Sequence, residues 1–267
     1  MITGNSVLFN QATSILRTFG LRETLRRVFY YSALKIFGEE LYQKPIIDCI
    51  IKHAKGYSTF IDIGAARGVI TVAVSHLFNC CIAIEPLSKN FSKLLSNISA
   101  NRIKNCIALP IALNEKPGTK TIYFTPRSTD TASFIKSLIP YESLRSERVK
   151  VDTLDNVIKI YGAKQPYLIK IDVQGYEYKV FKGGSETLRK KCLIISEFWP
   201  FGLKSAGNDP FEYIKFMNEF GYQVYNLSGS PLSISKIVQL CKLGVQDPFV
   251  VLNILFCKKD YNIERAR

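Results

Sequence analysis

Short apolar runs alternate with longer amphipathic segments along the chain from residue 57 onward. Three of these runs, Thr59–Ile63, Cys80–Ile84 and 105–109, predict buried strands, and helical spacing predicts helices over 69–78 and Ser88–Ala100. Buried strands separated by helices are typical of a parallel sheet that is covered on both faces. The pattern therefore predicts an α/β fold with a doubly wound, mostly parallel sheet.

The same alternation returns in the second half of the chain. It predicts further helices and strands, namely helices at Leu154–Ile160, 176–188 (broken near Gly183-Gly184) and 211–220 and strands at 167–173, Cys192–Phe198, 222–227 and 249–257. Asp209 is expected to cap the helix over 211–220, with Pro210 at its first position. Residues 120–124 and 132–135 interrupt the alternation between the two halves, so they predict an inserted hairpin or loop.

Residues 1–56 predict an N-terminal helical extension, because apolar side chains recur there at helical spacing: Leu21, Leu25, Val28, Phe29 and Ile36. A basic amphipathic helix of this kind can contact an anionic membrane, or it can dock on the chain's own domain. Docking is the favoured interpretation. The remaining segments are expected to form one α/β domain over 57–258 and a basic tail over 259–267.

The charge of the chain is strongly positive, with 36 lysines and arginines against 22 aspartates and glutamates and a formal net charge of +14 at pH 7. Such an excess favours an anionic partner, which could be nucleic acid, a membrane surface or an acidic substrate. The basic residues are scattered through all segments and form no stripe with stacking aromatics. Nucleic acid is therefore the least favoured of these partners.

The sequence also carries information on cellular location. No apolar run approaches the ~20 residues that span a bilayer, and the first residues lack the basic and apolar regions of a signal peptide. Seven cysteines include no CxxC pair, and most lie in apolar, strand-like runs, which predicts reduced thiols. The expected location is the cytoplasm, with a peripheral position at the inner face of the membrane as the alternative.

A glycine-containing loop follows the first predicted strand, with Asp62, Gly64, Ala65 and Gly68 in the run DIGAARG. Glycines permit a tight turn and let the backbone approach a ligand at the carboxyl edge of the sheet. A purely structural turn is the alternative. The spacing differs from the GxGxxG run of dinucleotide folds, which favours a nucleoside ligand without phosphates, and S-adenosylmethionine is the common one.

An acid ends the second predicted strand, where Glu85 precedes Pro86. A carboxylate at this place can accept hydrogen bonds from both hydroxyls of an adenosine ribose. The alternative is an acid that caps the following helix. Together with the glycine loop, ribose binding is the favoured interpretation.

Six segments carry a resemblance to a known family: DIGAARG, AIEPLSKNFSKLLSNISAN, ALNEKPG, VDTLDN, LIKIDVQGYEYKVFKGG and IISEF. In this order they resemble the FkbM family of S-adenosylmethionine-dependent methyltransferases, over roughly residues 58–227. The resemblance implies a class I, Rossmann-like methyltransferase fold and O-methylation of sugars, polysaccharides or related metabolites. Two positions depart from the family, which favours Asn where this chain has Ala66 and Glu where it has Gln174.

The resemblance also implies roles for the residues around the cofactor. Asp62, Gly64 and Gly68 would shape the methionine and ribose end of the site, and Glu85 would hold the ribose hydroxyls. Ile111-Ala112 follows the third strand, where the fold normally lines the adenine pocket.

Three acids are candidates for catalysis. Asp172 emerges at the end of a central strand and is placed to orient an acceptor hydroxyl and take its proton; the alternatives are a helix cap or a pair with Lys170. Glu177 lies about one helical turn further on and could support Asp172. Glu197 closes the next strand and is the third candidate, with a salt bridge at the rim as the alternative.

The sequence thus predicts an O-methyltransferase that acts on a glycan or a glycosylated small molecule. The alternative is an RNA-binding methyltransferase or another nucleic-acid-binding protein that uses the basic surface. Clustered acids could hold a divalent ion, but nothing in their spacing requires one, so no metal is predicted. The pattern makes no prediction for the oligomeric state.

Overall fold

The computed structural model describes residues 43–126, 128–139 and 143–259. The described residues from Ile46 onward belong to one compact unit. The predicted helix around 21–36 and most of the basic tail lie outside the described residues, so the extension, its membrane contact and the domain boundaries stay predictions. Within the described residues, no helix is both long and apolar enough to cross a membrane.

Seven strands form the main sheet, in the order β10-β11-β9-β8-β1-β2-β3. Their bounds are β1 Thr59–Ile63, β2 Cys80–Ile84, β3 Cys106–Leu109, β8 Tyr167–Ile171, β9 Cys192–Phe198, β10 Tyr222–Asn226 and β11 Leu252–Lys258. Strand β11 runs antiparallel to both its neighbours, whereas the other pairs are parallel. The predicted doubly wound, mostly parallel α/β sheet is confirmed.

Helices connect these strands and cover both faces of the sheet. They are α1 over residues 43–53, α2 Val69–Val74, α3 Ser88–Ala100, α4 Leu154–Ile160, α5 Glu177–Lys182, α6 Ser185–Arg189, α7 Pro200–Ser205, α8 Pro210–Glu219 and α9 Ile234–Gly244. The carboxylate of Asp209 accepts a hydrogen bond from the Phe211 amide, and Pro210 is the first residue of α8, as the sequence predicts. Helices α7 and α9 were not predicted.

The alternation of side chains along each strand divides the apolar core into two layers. Ile61 and Ile63 of β1 pack on one face with residues of α4, α5, α6 and α8. Phe60 packs on the other face with Ile50 of α1 and Val74 of α2. Because successive side chains of a strand point to opposite faces, these continuous apolar runs fill both layers.

A second, four-stranded sheet is inserted between β3 and α4, in the order β4-β7-β5-β6. Its strands are β4 Ala112–Leu113, β5 Gly118–Thr125, β6 Ser128–Ser133 and β7 Arg145–Asp152. Strands β5 and β6 form the inserted hairpin that the sequence predicts. Strand β7 was not predicted, because it is rich in charged residues and buries few apolar ones, chiefly Val149 and Val151.

Candidate active site

The loop after β1 packs directly on the loop after β8. Gly64 has a φ of 76°, and a Cβ atom at this position would collide with the backbone oxygen of Asp172. Gly68 has a φ of 81°, and a Cβ atom there would collide with the Leu94 side chain of α3. The clash with backbone makes glycine necessary at position 64, whereas at position 68 the positive φ favours glycine, since other residues are disfavoured at such values.

The backbone of this loop also binds the acid at the end of β2. Glu85 is buried, and its two carboxylate oxygens accept hydrogen bonds from the amides of Ala66 and Leu87, each at 2.9 Å. Burial raises the pKa of Glu85 to about 7, while the two amides and Asn90 oppose this shift. A carboxylate has about four lone-pair sites, so beside these donors Glu85 can still accept a hydrogen bond from a ribose hydroxyl.

Ala66 adopts a left-handed backbone conformation, with a φ of 48°. Asn tolerates this conformation better than Ala does, because its short polar side chain can hydrogen-bond locally. We expect Ala66→Asn to raise the free energy of unfolding by about 0.5–1 kcal/mol, measured by urea denaturation. The matched change Ala206→Asn, at a φ of −78°, should change that free energy by less than about 0.5 kcal/mol. Equal effects at both positions would refute this explanation.

Asp62 lies beneath the glycine loop and is almost inaccessible, with 1% of its surface exposed. One carboxylate oxygen lies 3.4 Å from the Lys170 ammonium, and the other accepts a hydrogen bond of 2.6 Å from the Thr71 hydroxyl. Lys170 also donates to the Gly64 carbonyl at 2.9 Å. Asp62 thus supports the loop from within the protein.

The other predicted cofactor residues lie in two places. Ala65 is buried against Ala83 and Leu94, beside the glycine loop. Pro86, which follows Glu85, is half-buried. Ile111 packs at the edge of the main core, whereas Ala112 begins β4 and belongs to the core of the second sheet. The structure therefore keeps Ala65 and Pro86 close to Glu85 in the fold and places Ala112 in the inserted sheet.

The three predicted catalytic acids come together at the carboxyl ends of β8 and β9. One oxygen from each of Asp172, Glu177 and Glu197 lies within 4.8 Å of the others. Asp172 is half-buried, whereas Glu177 is fully buried and Glu197 is 9% exposed. Burial, together with the nearby Asp172 charge, raises the pKa of Glu177 to about 7 and the pKa of Glu197 well above its ordinary value.

Gln174 joins two of these acids. Its side-chain amide donates to Asp172 at 2.8 Å and to Glu197 at 3.3 Å. Gln174 has a φ of 53°, so the loop turns sharply there. Glu177 stabilises the same loop, since its Oε1 accepts hydrogen bonds from the amides of Val173 and Gly175. Glu177 thus holds the backbone of the loop that follows Asp172.

The second sheet covers this loop. The Ser133 hydroxyl of β6 donates to the Gln174 carbonyl at 3.4 Å, and the Phe134 ring packs edge-on against Tyr176, with centroids 5.0 Å apart. The ammonium groups of Lys120 and Lys179 lie 5.3 and 4.9 Å from the centre of the Tyr176 ring. Burial and the charge of Lys120 lower the pKa of Lys179, so two positive charges lie close together here.

Sequence reasoning missed several residues that hold the site together. Strand alternation suggests Lys170 as a partner of Asp172. In the structure it pairs instead with Asp62, the residue opposite it on the neighbouring strand β1. Asn97 of α3 donates to the Arg67 carbonyl at 2.8 Å, and Asn90 donates to the Thr129 carbonyl at 3.2 Å. Both asparagines lie in a segment that carries the family resemblance, but their partners are distant in sequence.

An open groove lies between α7, α8 and α9, away from the residues described above. It has a volume of about 430 Å³, and Lys204, Phe211, Cys241 and Lys242 are among its lining residues. None of the predicted cofactor or catalytic residues lines it. Chemistry at the carboxyl edge of the main sheet is therefore the better basis for an active site.

Comparison with known proteins identifies the family. The methyltransferase FkbM domain matches residues 62–224, more than half of the chain, including the glycine loop, Glu85 and all three acids. The chain belongs to the FkbM methyltransferase family. It is a methyltransferase of the class I, Rossmann-like fold, and its cofactor is S-adenosylmethionine. A buried carboxylate such as that of Glu85 can accept a hydrogen bond from a ribose hydroxyl of that cofactor.

Individual relatives are distant. The FkbM methyltransferase is 23% identical over 177 residues to the hexuronic acid methyltransferase AglP of Haloferax volcanii. The aligned segment covers 66% of this chain and 68% of AglP. Among solved structures, it is similar to an O-methyltransferase of Bacillus cereus in complex with SAH. The identity is 12%, the TM-score is 0.42, and the match covers 92% of this chain and 96% of the other. It is also similar to the O-methyltransferase TomG of Streptomyces achromogenes in complex with SAM. Here the identity is 7%, the TM-score is 0.44, and the match covers 93% of this chain and 87% of TomG.

Proposed function

We propose that this methyltransferase transfers its methyl group to a hydroxyl of a sugar, a glycan or a glycosylated metabolite. The observation that carries the proposal is the position of Asp172, which follows β8, has a half-buried side chain and packs its backbone carbonyl against the glycine loop at Gly64. A carboxylate in this position can accept the proton of an acceptor hydroxyl. The name of the relative AglP, a hexuronic acid methyltransferase, supports a sugar as the acceptor.

The contribution of the protein is to align the acceptor, exclude water and remove a proton. S-adenosylmethionine supplies an activated methyl group on its positively charged sulfur. Asp172 orients the acceptor hydroxyl and takes its proton, while Gln174 fixes the position of the carboxylate through its hydrogen bond. The second sheet packs on one side of the loop through the contact of Phe134 with Tyr176.

An acidic sugar is the acceptor class that best fits the surroundings of this loop. Lys120 and Lys179 bring two positive charges to the Tyr176 ring. Burial and, after it, the charge of Lys120 lower the pKa of Lys179, and a bound carboxylate would offset the repulsion between the two ammonium groups. Aromatic rings beside charged groups also suit the apolar face of a sugar.

The proposal is tested by measuring transfer of a radiolabelled methyl group from S-adenosylmethionine to a panel of acceptors. The panel contains hexuronic acids, neutral hexoses, their glycosides and unmodified RNA. We expect product with sugars, and most product with hexuronic acids. Methylation of RNA alone would overturn the proposal and support the RNA-binding alternative, which also predicts a steep salt dependence.

The affinity for S-adenosylmethionine is expected to depend on the ionisation of Glu85. Its pKa is raised to about 7, and the ionised form accepts ribose hydroxyls best. Lowering the pH from about 8 to about 6 reduces the ionised fraction of such a group from about 0.9 to about 0.1, so Kd should rise about tenfold. Calorimetry should show this rise for the wild type and a weaker, flatter affinity for Glu85→Gln. Equal pH profiles for both proteins would refute the assignment.

A further inference from the structure

We propose that Asp172, Glu177 and Glu197 form a binding site for a divalent cation of the Mg²⁺, Mn²⁺ or Ca²⁺ class. The site lies at the carboxyl ends of β8 and β9 and goes beyond the proposed methyl transfer. The spacing of these acids in the sequence gives no reason to expect a metal ion. The folded arrangement does, because it brings oxygen ligands from two strand ends and one helix to a single point.

The distances suit a hard cation. Mg²⁺ binds oxygen at about 2.0–2.1 Å and Ca²⁺ at about 2.3–2.6 Å, so two ligand oxygens on opposite sides of an ion are about 4–5 Å apart. One oxygen from each of the three acids lies within 4.8 Å of the others. An ion between them would therefore contact all three without a large movement of the backbone.

Glu177 supplies a second, independent observation. Its side chain is fully buried, and Oε1 accepts the amides of Val173 and Gly175. Among the described residues and their contacts, Oε2 has no hydrogen-bond partner. A buried carboxylate oxygen without a donor is costly. Since this carboxylate belongs to the acid cluster, a cation at the centre of the cluster would give Oε2 the partner that the protein does not.

The balance of charge points the same way. Lys170 is the basic group whose charge acts on Glu197, but its ammonium is bound to Asp62 and to the Gly64 carbonyl. Lys170 therefore compensates Asp62 first, so among the described residues it balances only in part the charge that the three acids carry when they are ionised. Removing several like charges from water is unfavourable unless a counter-charge accompanies them. A divalent cation supplies that charge within a few ångströms.

Gln174 fits such a site in two ways. As an amide, it adds no fourth negative charge beside Asp172 and Glu197, which a glutamate would do. Its NH₂ group bridges the two carboxylates in the ion-free protein. A half-turn of the amide about its last bond would present the oxygen instead, and amide oxygens are good ligands for Ca²⁺. The same side chain thus satisfies the cluster with or without an ion.

The partial exposure of Asp172 leaves one side of the cluster open. Cations of this class take six or more ligands, so water or an acceptor oxygen would complete the coordination. On the condition that the proposed function is correct, that oxygen would be the acceptor hydroxyl. Binding of the cation itself does not depend on this condition.

The test uses the full chain, freed of metal by a chelator and assayed without cofactor or acceptor. Calorimetry and the electron paramagnetic resonance signal of Mn²⁺ should show one bound ion per chain. Asp172→Asn and Glu197→Gln should each weaken Mn²⁺ binding by about 10- to 100-fold or more, a loss already seen when outer partners of metal ligands are removed. Circular dichroism checks that both variants fold. Glu177→Gln is avoided because Glu177 stabilises its own loop.

The matched control is Glu212→Gln, which removes one exposed acid from α8. It should leave Mn²⁺ affinity unchanged. Absence of binding at about 1 mM Mn²⁺, the weak end of protein calcium sites, would overturn the proposal. Equal binding by the wild type and both site variants would overturn it too. Because neither the cofactor nor the acceptor is present, a failure of the methyl-transfer assay would not alter this result.

Discussion

Exchange of Asp172 for asparagine is expected to lower kcat for methyl transfer by about 10²- to 10⁴-fold, the range typical of a lost general base. Asparagine keeps the shape of the side chain and can still accept the hydrogen bond from Gln174, but it cannot take a proton. The affinity for S-adenosylmethionine should change by less than about threefold, since Glu85, the residue proposed to bind the ribose, lies at the end of another strand. Steady-state kinetics and calorimetry measure the two quantities separately.

The control for this change is Asp48→Asn, which neutralises an exposed acid on α1. It should retain wild-type kcat and cofactor affinity. If Asp172→Asn also keeps full activity, Asp172 is not the base. If the variant instead loses cofactor binding and activity together, the residue shapes the loop packed against Gly64 and has no separate role in proton transfer.

Replacement of Lys170 by methionine is expected to lower the free energy of unfolding by about 3–5 kcal/mol, as happens when one member of a buried ion pair is removed. The ammonium contacts Asp62 at 3.4 Å and the Gly64 carbonyl at 2.9 Å, and all three residues are largely shielded from water. Methionine fills a similar volume but leaves the Asp62 charge without its partner. Urea denaturation measures the loss.

The double variant Asp62→Asn/Lys170→Met separates the ion pair from other effects of the two side chains. Removing both charges should recover a large part of the lost stability, because no buried charge then remains unpaired. Two results would contradict this account. One is a loss in the free energy of unfolding below about 1 kcal/mol for Lys170→Met. The other is a loss for the double variant that exceeds the sum of the two single losses. Asp62→Asn alone should keep the Thr71 hydrogen bond.

The fold was predictable from the sequence because its central strands are continuous apolar runs. Residues such as Phe60 and Ile61 fill opposite layers, so the run itself signals burial on both faces. Strand β7 lacked this signal, since charged residues occupy its exposed face and its pairing with β5 depends on distant residues. Helix α7 was missed because it has only six residues, Pro200 and Gly202 among them. Helix α9 does carry a sequence signal, since its buried residues Ile237, Cys241 and Gly244 recur at helical spacing.

For the site, the sequence predicted residue types at strand ends more reliably than their partners. Glu85 and Asp172 could be named because the carboxyl ends of parallel strands meet at one edge of a sheet. The pairing of Lys170 with Asp62 depends on the register between β1 and β8, which no local pattern specifies. The bridge from Gln174 to Glu197 likewise joins residues of two strand ends and becomes visible only in three dimensions.

The contact between Gly64 and the Asp172 carbonyl has a consequence for how such an enzyme can diversify. Because Lys170 also binds the Gly64 carbonyl, a change in either loop disturbs the other. The strands of the inserted sheet pair among themselves and contact the loop after β8 mainly through side chains, so we expect variation in acceptor choice to be better tolerated there. We therefore expect that exchanging residues 118–152 between family members would change the acceptor and leave the loops after β1 and β8 intact.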